Sequence, residues 1–450
     1  MTQDSPTLSC NFCGKNRDQV EKLIAGPDVY ICNECIELSY NITVTEKSEE
    51  FDIDELDSLL TPTEIYNKLD EYIIGHAGVK ELLSVCAYNH YKRIAFNRSE
   101  DFDVDTLDKS NILLMGNTGT GKTLFAKTLA KILNVPMTIA DATTLTEAGY
   151  VGEDVEGVIE RLLTLTNWDK DSAEKGIIFI DEIDKKARRS ESNTATRDVS
   201  GEGVQQALLR LIEGTIVKIK MGNSKRLAGD EFIEFDTSNI LFIMGGAFVG
   251  LDKLIEKRLK KKSGIGFGST VLDATESKKL TKLATHDDFV TFGLIPELVG
   301  RTPLIGILDQ FEAEDFKKIL SSVKNNILSQ VKVLFDIDNI RIEFGDDYIT
   351  YVAEQAATKS LGARAIKTLV DQSLISLMFR APDLHNKDVA MIKLNKYPLT
   401  KEDFPVLYYS NNESEIDRNY KLHGAEDLWA KTLNQITSIR SLTTKNHTQH

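Results

Sequence analysis

The 450-residue sequence has few cysteines and tryptophans, five and two respectively, and it contains no long apolar segment. A helix that crosses a membrane needs about 18 or more consecutive apolar residues, and no run in this chain approaches that length. The first residues, Met1 to Ser5, begin neither a basic segment with an apolar core nor an arginine-rich amphipathic pattern. Those are the features of signal and transit peptides. The sequence therefore predicts a cytoplasmic protein that does not associate with membranes.

Basic side chains are too few for a protein that binds polyanions over its surface. The chain has 54 lysines and arginines against 69 aspartates and glutamates, which gives a net charge of −15. Such a surface repels the phosphates of nucleic acids and of anionic lipids. The composition is otherwise ordinary for a globular protein, and the length allows about three domains at roughly 150 residues each.

Four of the five cysteines lie within the first 35 residues, as two Cys-x2-Cys pairs separated by 18 residues. Pairs at this spacing are typical of structural zinc sites, in which four thiolates complete a tetrahedral shell. Disulfides are the alternative, but they fit poorly with a reducing cytoplasm. The sequence predicts a module that gains its folding energy from Zn²⁺, with the ligands Cys10, Cys13, Cys32 and Cys35. The fifth cysteine, Cys86, lies in a helical pattern and is expected to be a buried apolar residue.

Residues 116–123 fit the pattern G-x-x-x-x-G-K-[ST], between a predicted strand and a predicted helix. In such a loop the glycines let backbone N–H groups close around phosphate, and the following helix N-terminus attracts the anion. Lys122 is expected to reach the β and γ oxygens, and the Thr123 hydroxyl is expected to bind Mg²⁺. The predicted nucleotide-binding residues of the loop are Gly116, Asn117, Thr118, Gly119, Thr120, Gly121, Lys122, Thr123 and Leu124.

A second apolar run, residues 177–180, ends in Asp181 and Glu182. Beside a phosphate-binding loop, Asp181 is expected to join the magnesium shell and Glu182 to polarise an attacking water. The alternative is a strand end with two solvated carboxylates. The two motifs together predict hydrolysis of a nucleoside triphosphate.

Composition and periodicity divide the chain into five regions: a zinc module (1–45), an acidic linker (46–62), a large α/β domain (63–309), a small mainly helical domain (310–400) and a partly disordered tail (401–450). Alternating strands and helices predict a parallel sheet in the large domain. Its strands are expected at 111–115, 137–140, 177–180, 239–244 and 303–308, with a hairpin between 215 and 236. In the small domain, helices are expected at 316–334, 346–358 and 363–379, and short strands at 340–344 and 389–394.

The phosphate-binding loop, the acidic pair and the trailing helical domain resemble the AAA+ P-loop ATPases. The four-Cys module joined to such a core resembles the ClpX type in particular, and the resemblance runs from Cys10 to about Leu394. It implies an ATP-dependent protein unfoldase, or chaperone, that forms a homo-hexameric ring and threads protein substrates into a separate ClpP-type peptidase. The implied cofactors are ATP, Mg²⁺ and Zn²⁺, and adaptors are expected to bind through the zinc module.

Further stretches that resemble the family imply further functional residues. Residues 72–75 resemble the adenine-packing segment and imply that Ile74 contacts the base. Residues 293–301 resemble the segment that ends in an arginine finger, and residues 361–364 resemble the sensor-2 motif. The implied catalytic set is Lys122, Asp181, Glu182, Arg301 and Arg364. Residues 149–155 resemble the axial pore loop and residues 265–267 the peptidase-docking tripeptide, which implies roles for Tyr150, Val151, Ile265, Gly266 and Phe267.

Each of these stretches also has a physical interpretation. Tyr150 and Val151 lie between glycines, which suits a mobile loop, although an ordinary surface turn is the alternative. Arg301 lies at an element boundary, where it could reach a neighbour's γ-phosphate or pair with a surface carboxylate. Phe267 and its neighbours alternate with glycine and suit the apolar pocket of a partner, or a loop packed on its own domain.

The sequence has no peptidase signature, since it lacks H-E-x-x-H, G-x-S-x-G and an obvious Ser-Lys dyad. The sequence departs from the family at the predicted hairpin tip, residues 224–227. The family's substrate preference is therefore not expected to apply to this chain. No polar residue follows the strand at 239–244 in the place of a sensor-1 side chain. The alternatives to an unfoldase are a remodeller that works without a peptidase, a nucleic-acid motor, and an adaptor platform with a degenerate ATPase.

Overall fold

A computed structural model describes residues 9–26, 29–46, 59–96, 107–146, 153–188, 199–220, 232–262, 280–359, 362–385, 389–395 and 406–409. Several predicted features lie outside the described residues: most of the acidic linker, the hairpin tip, most of the tail, and the residues Tyr150, Val151, Ile265, Gly266 and Phe267. The chain divides into two compact units, Met1–Leu59 and Leu60–His450.

The first unit is a small module built on a β-hairpin. Strands β1 (Leu23–Gly26) and β2 (Val29–Cys32) pair antiparallel, and helix α1 (Asn33–Glu46) follows directly. A single 3₁₀ turn, Arg17–Gln19, precedes the hairpin. The fully buried apolar side chains among the described residues of this unit are two cysteines, Cys10 and Cys32. So small an apolar core is consistent with a module that needs a metal ion to fold.

The large domain of the second unit contains a five-stranded parallel sheet with the order β11-β3-β10-β7-β4. All five predicted strands are confirmed to within two residues. They are β3 (Ile112–Met115), β4 (Met137–Asp141), β7 (Ile177–Asp181), β10 (Leu241–Gly246) and β11 (Leu304–Ile307). The predicted hairpin is confirmed as the antiparallel pair β8 (Ile216–Lys220) and β9 (Phe232–Asp236). Two short strands, β5 (Leu145–Thr146) and β6 (Glu153–Asp154), form a separate parallel pair.

Helices cover both faces of this sheet. On one face, Ile112 and Leu114 pack against α2 (Pro62–Asp70), α3 (Ala77–Phe96) and α4 (Lys122–Leu133). On the other face, Leu113 and Met115 belong to a core that includes α5 (Gly157–Leu165) and α7 (Val199–Glu213). The other helices among the described residues of the domain are α6 (Lys170–Ala173), α8 (Leu251–Lys262), α9 (His286–Phe292) and α10 (Pro296–Gly300), with a 3₁₀ turn at Ile183–Lys186. Burial on both faces explains why the central strands are continuous apolar runs.

Two local features of the large domain follow directly from the sequence around them. Helix α2 begins where Thr61 and Glu64 form a capping box, with Pro62 in the first turn. Cys86 is buried in α3, as its apolar neighbours predicted. Among the described residues, no helix is both long and apolar enough to cross a membrane.

The described residues of the small domain form four helices and a three-stranded sheet of order β12-β13-β14. The helices are α11 (Ala313–Ser321), α12 (Ile327–Ile337), α13 (Asp346–Thr358) and α14 (Arg364–His385), and the strands are β12 (Arg341–Phe344), β13 (Val389–Leu394) and β14 (Val406–Tyr409). Strand β14, which the sequence analysis did not predict, pairs antiparallel with β13. The helix expected at 346–358 is confirmed.

The single helix expected at 316–334 is wrong. The chain leaves the helical path after Ser321 and resumes it at Ile327. Asn325 has a φ of 57°, in the left-handed region that asparagine tolerates better than most residues. Asn326 then caps the next helix, since its side chain accepts a hydrogen bond of 2.8 Å from the backbone N–H of Ser329. The local preferences of two asparagines therefore override the apolar periodicity.

Candidate functional site

The phosphate-binding loop joins β3 to α4 at the carboxyl edge of the sheet. Gly119 and Gly121 have φ values of 83° and 100°, which side chains other than glycine rarely adopt. Gly116 is required for another reason, since a Cβ there would lie 2.8 Å from the Thr120 hydroxyl oxygen and 2.9 Å from Leu308 Cβ. The loop thus has the close-packed backbone that the motif predicts.

Lys122 is buried beneath this loop. Its ammonium group donates hydrogen bonds to the carbonyl oxygens of Gly116 at 2.6 Å and Asn117 at 3.2 Å. Burial lowers the pKa of Lys122, and the nearby carboxylates of Asp181 and Asp184 oppose that shift. The Lys122 ammonium group therefore lies between the loop backbone and the carboxylates of Asp181 and Asp184, where it can meet phosphate oxygens.

The two acidic residues at the end of β7 have different surroundings. The Thr123 hydroxyl donates to Asp181 Oδ2 at 3.2 Å, so the residues predicted to share Mg²⁺ are in contact. Glu182 has a left-handed φ of 56°, and its backbone N–H donates to Asp181 Oδ1 at 3.0 Å. Its own side chain is exposed to solvent. One carboxylate thus faces the loop and the other remains accessible to water.

Asp184 belongs to this site, although the sequence analysis did not assign it. Its side chain is buried, and its Oδ1 accepts a hydrogen bond of 3.2 Å from the backbone N–H of Ala247, just after β10. A Cβ at Gly246 would lie 2.5 Å from the Phe248 ring and 2.9 Å from Asp184 Oδ1. The end of β10 therefore has no room for a side chain, which explains why no sensor-1 residue was found there. The signal that was missed is the spacing Asp181-Glu182-Ile183-Asp184, with three carboxylates after one strand.

The small domain contacts the phosphate-binding loop directly. The backbone N–H of Ala363 donates to the Gly119 carbonyl oxygen at 3.1 Å. Gly362, with a φ of 57°, lies so close that a Cβ would be 2.8 Å from the same oxygen. Arg364 follows at the start of α14 and lines a cleft of about 420 Å³. The other lining residues are Thr118, Gly119, Gly121, Lys122, Thr123, Leu124, Asp181, Glu182, Asp184, Lys185, Ala247, Val249 and Ala363.

A smaller cleft of about 220 Å³ is lined by Thr120 of the loop and by two small-domain aromatic residues, Phe311 and Phe316. Ile74 is not among the described residues that line either cleft. Its neighbour Ile73 is buried in the core behind the loop, together with Phe125. Contact between Ile74 and adenine therefore stays a prediction.

Arg301 lies outside the cleft of its own chain. It follows α10, and its Nε donates to Glu213 Oε1 at 2.9 Å. The Arg301 side chain is 54% exposed and that of Glu213 is 40% exposed. Six side chains were predicted to take part in catalysis or adenine binding. Four of them line the cleft together: Lys122, Asp181, Glu182 and Arg364. Arg301 and Ile74 are not among its lining residues.

The four predicted zinc ligands converge in the first unit. Their sulfur atoms all lie within 4.8 Å of one another, with 3.9 Å between Cys10 and Cys35 and 3.6 Å between Cys13 and Cys32. Zinc bound tetrahedrally at about 2.3 Å from each sulfur needs sulfur–sulfur separations of about 3.8 Å. The cluster therefore has the size of a ZnS₄ site.

Backbone N–H groups point at these sulfurs. Cys32 donates to Cys10 Sγ at 3.3 Å, and Cys35 donates to Cys32 Sγ at 3.4 Å. Burial alone would raise the pKa of Cys10. The hydrogen bonds from the backbone N–H groups of Cys13, Cys32 and Phe12 outweigh burial, so that the pKa falls to about 6. The pKa of Cys35 rises to about 12, chiefly because its thiol bonds to Cys13. Four crowded sulfurs cannot all ionise alone, and a dication is the group that would stabilise four thiolates.

A phosphate-binding loop, an acidic pair at the end of a second strand of the same sheet and a second domain in contact with the loop define an AAA ATPase. A family model described as an AAA domain (Cdc48 subfamily) matches residues 107–305. A second, described as a ClpX C4-type zinc finger, matches residues 8–45. The ATP-dependent Clp protease ATP-binding subunit ClpX of Treponema denticola is 46% identical over 389 residues, which are 86% of this chain and 92% of that protein. The chain belongs to the ClpX family, and the predicted family, fold class and ATPase activity are confirmed.

Proposed function

We propose that this chain is the ATP-driven unfoldase of a two-component protease and that it feeds substrates to a separate ClpP-type peptidase. The observation that carries the proposal is the contact between Gly119 and Ala363, with Arg364 in the same cleft as Lys122. A nucleotide in that cleft would touch both domains, so that binding and hydrolysis would change the angle between them. The Treponema denticola relative, named as an ATP-binding subunit of a protease, supports the peptidase partner.

Hydrolysis would use residues that already meet in the cleft. Thr123 and Asp181 would hold Mg²⁺, which would shield the phosphate charge. Lys122 binds the β and γ oxygens, and Glu182 polarises the attacking water from its exposed position. Arg364, the first residue of α14, contacts the same nucleotide from the small domain, so that the position of α14 depends on whether the nucleotide is bound.

Arg301 acts in trans, on the nucleotide of a neighbouring copy in a homo-hexameric ring. Its exposure and its place outside the chain's own cleft support this role. Exposed apolar side chains of the small domain are a second argument for self-association. Two adjacent helices, α12 and α14, expose Val333, Leu334, Ile337, Ile375 and Phe379. Apolar groups left in water on this scale are typical of an interface.

The remaining roles rest on the sequence. Tyr150 and Val151 grip the substrate in the axial pore, and Ile265, Gly266 and Phe267 dock the peptidase. The four cysteines bind Zn²⁺ and hold a module that receives substrates and adaptors in the cytoplasm.

The experiment that tests this function is ATP-dependent degradation of a tagged, folded reporter, with and without an added ClpP-type peptidase. Tyr150→Ala should still hydrolyse ATP but unfold the reporter much more slowly. Phe267→Ala should still unfold the reporter yet lose degradation, because an apolar anchor at an interface is typically worth about 2 kcal/mol or more. If Phe267→Ala degraded the reporter normally at limiting peptidase, a remodeller without a peptidase would be the better assignment.

A further inference from the structure

A glutamine in α7 forms hydrogen bonds with two backbone segments that belong to different functional sites. Gln205 is completely buried. Its Nε2 donates to the Lys186 carbonyl oxygen at 2.7 Å and to the Gly293 carbonyl oxygen at 3.4 Å, and its Oε1 accepts from the backbone N–H of Ile295 at 2.8 Å. Both amide donors and the amide oxygen are therefore used. Replacing this side chain with an apolar one would remove the hydrogen bonds that it makes with the Ile295 N–H and the Lys186 carbonyl oxygen, whereas the Gly293 carbonyl oxygen would keep its bond from the Arg188 N–H.

The first segment belongs to the ATP site. The 3₁₀ turn Ile183–Lys186 begins directly after Glu182, and its Asp184 lines the nucleotide cleft and holds the end of β10. Lys186, the residue that Gln205 binds, is the last residue of this turn. A displacement of the acidic pair as phosphate binds or leaves therefore reaches the Lys186 carbonyl within one helical turn.

The second segment carries Arg301. Gly293 and Ile295 lead into α10, a helix of five residues that ends immediately before Arg301. The Gly293 carbonyl also accepts a 3.0 Å hydrogen bond from the Arg188 N–H, and a Cβ at Gly293 would lie 2.5 Å from the Arg188 carbonyl oxygen. The backbones of Gly293 and Arg188 are in direct contact with no free space between them, so that movement of one segment requires movement of the other.

Helix α7 also contacts the far end of the second segment. Its last residue, Glu213, accepts the hydrogen bond from Arg301 Nε at 2.9 Å. The same helix therefore binds the segment before α10 through Gln205 and the residue after α10 through Glu213.

We propose that Gln205 is a positioning residue that couples the ATP site of one subunit to the arginine finger that the same subunit offers to its neighbour. The proposal rests on the trans role of Arg301 proposed above. Through Gln205, the state of Glu182 and Asp184 sets the position of α10, and hence of the Arg301 guanidinium. A subunit would thereby signal its own nucleotide state around the ring.

The test uses full-length rings that carry Gln205→Met, which removes all three hydrogen bonds, or Gln205→Glu, which keeps only the acceptor. The matched control is Gln206→Glu, the same chemical change one residue further on, at an exposed position. We expect both Gln205 variants to keep the KM for ATP within about twofold while kcat falls about two- to thirtyfold, the usual range for residues that transmit coupling. The Gln206→Glu rings should hydrolyse ATP at the unmodified rate.

A double-mutant cycle with Arg301→Ala separates coupling from simple damage. If Gln205 acts through Arg301, Gln205→Met should reduce kcat no further in rings that already carry Arg301→Ala. Reductions that multiply would overturn the inference and leave the proposed function standing. Normal turnover by Arg301→Ala alone would instead contradict the proposed trans role.

If the Gln205 variants do not assemble into rings, the coupling can still be tested on the unmodified ring. Hydrogen exchange of residues 293–301, followed by mass spectrometry, should differ between rings bound to ADP and rings bound to a slowly hydrolysed ATP analogue. Equal exchange in the two states would overturn the coupling.

Discussion

The contact between the small domain and the phosphate-binding loop can be broken with a single methyl group. In Gly362→Ala, the new Cβ would lie 2.8 Å from the Gly119 carbonyl oxygen and 2.9 Å from its carbonyl carbon. These are backbone atoms that cannot rotate away. The φ of 57° at Gly362 adds a second penalty, because alanine is strained in the left-handed region.

Both penalties fall on the docked arrangement and are relieved when the small domain moves away. The left-handed conformation costs about 1–2 kcal/mol, and loss of the hydrogen bond between Ala363 and Gly119 costs about 1 kcal/mol more. The sum, about 2–3 kcal/mol, corresponds to a decrease of about thirty- to a hundred-and-fiftyfold in the ratio of docked to undocked molecules. Since undocking also withdraws Arg364 from the cleft, we expect weaker nucleotide binding and slower turnover.

The assay is titration of the full chain with a fluorescent ATP analogue, together with steady-state ATP hydrolysis. Gly250→Ala is the matched control, because Gly250 has a φ of +94° but no atom within 4 Å of its Cβ position. That variant carries the backbone strain without the collision. If Gly362→Ala bound nucleotide within twofold of Gly250→Ala, the domain contact would have no role in nucleotide binding.

Three further results are expected. Glu182→Gln should bind ATP with nearly unchanged affinity but hydrolyse it at least about a hundredfold more slowly, whereas Lys122→Ala should weaken binding itself, as titration and turnover assays will show. A strong chelator should release one zinc ion per chain, detected with a metal indicator, and unfold the first unit while basal ATP turnover persists. Burial lowers the pKa of His90 from 6.5 to about 3, so that the folded state resists protonation. The contribution of His90 to the free energy of unfolding should therefore be fully present above pH 6.5 and fall by about 1.4 kcal/mol per pH unit below it. His90→Gln should remove this contribution and so reduce the loss of stability between pH 7 and pH 5.5, as measured by urea titration.

Local motifs and buried strands could be predicted from the sequence because their causes are local. The loop at 116–123 and the two Cys-x2-Cys pairs depend on spacing along the chain, and the central strands are short apolar runs because both their faces are covered. The break before Ile327 was missed because apolar residues keep their helical spacing across it. Strand β14 was missed because residues 395–405, which separate it from its partner β13, contain two prolines and no strand pattern.

The contacts that organise the site could not be predicted, since they join residues far apart in the chain. Ala363 donates a hydrogen bond to Gly119, and Gln205 donates one to Gly293 and accepts one from Ile295. A motif's spacing along the chain does not state which distant residues it will contact. Asp184 differs, because its distance from Asp181 in the sequence was visible. It was missed because two carboxylates already accounted for the expected chemistry.

The sequence left two interpretations of Arg301, an arginine finger and a surface ion pair, and the structure shows why they are compatible. The guanidinium meets Glu213 through Nε, and among the described residues no hydrogen bond occupies its terminal nitrogens. A pair exposed to this degree is worth about 1 kcal/mol or less, which is too little to retain the arginine against a phosphate group. The pair can nevertheless orient the side chain between turnovers. Because its carboxylate comes from α7, the resting position of Arg301 depends on the same helix whose Gln205 binds the turn that follows Glu182.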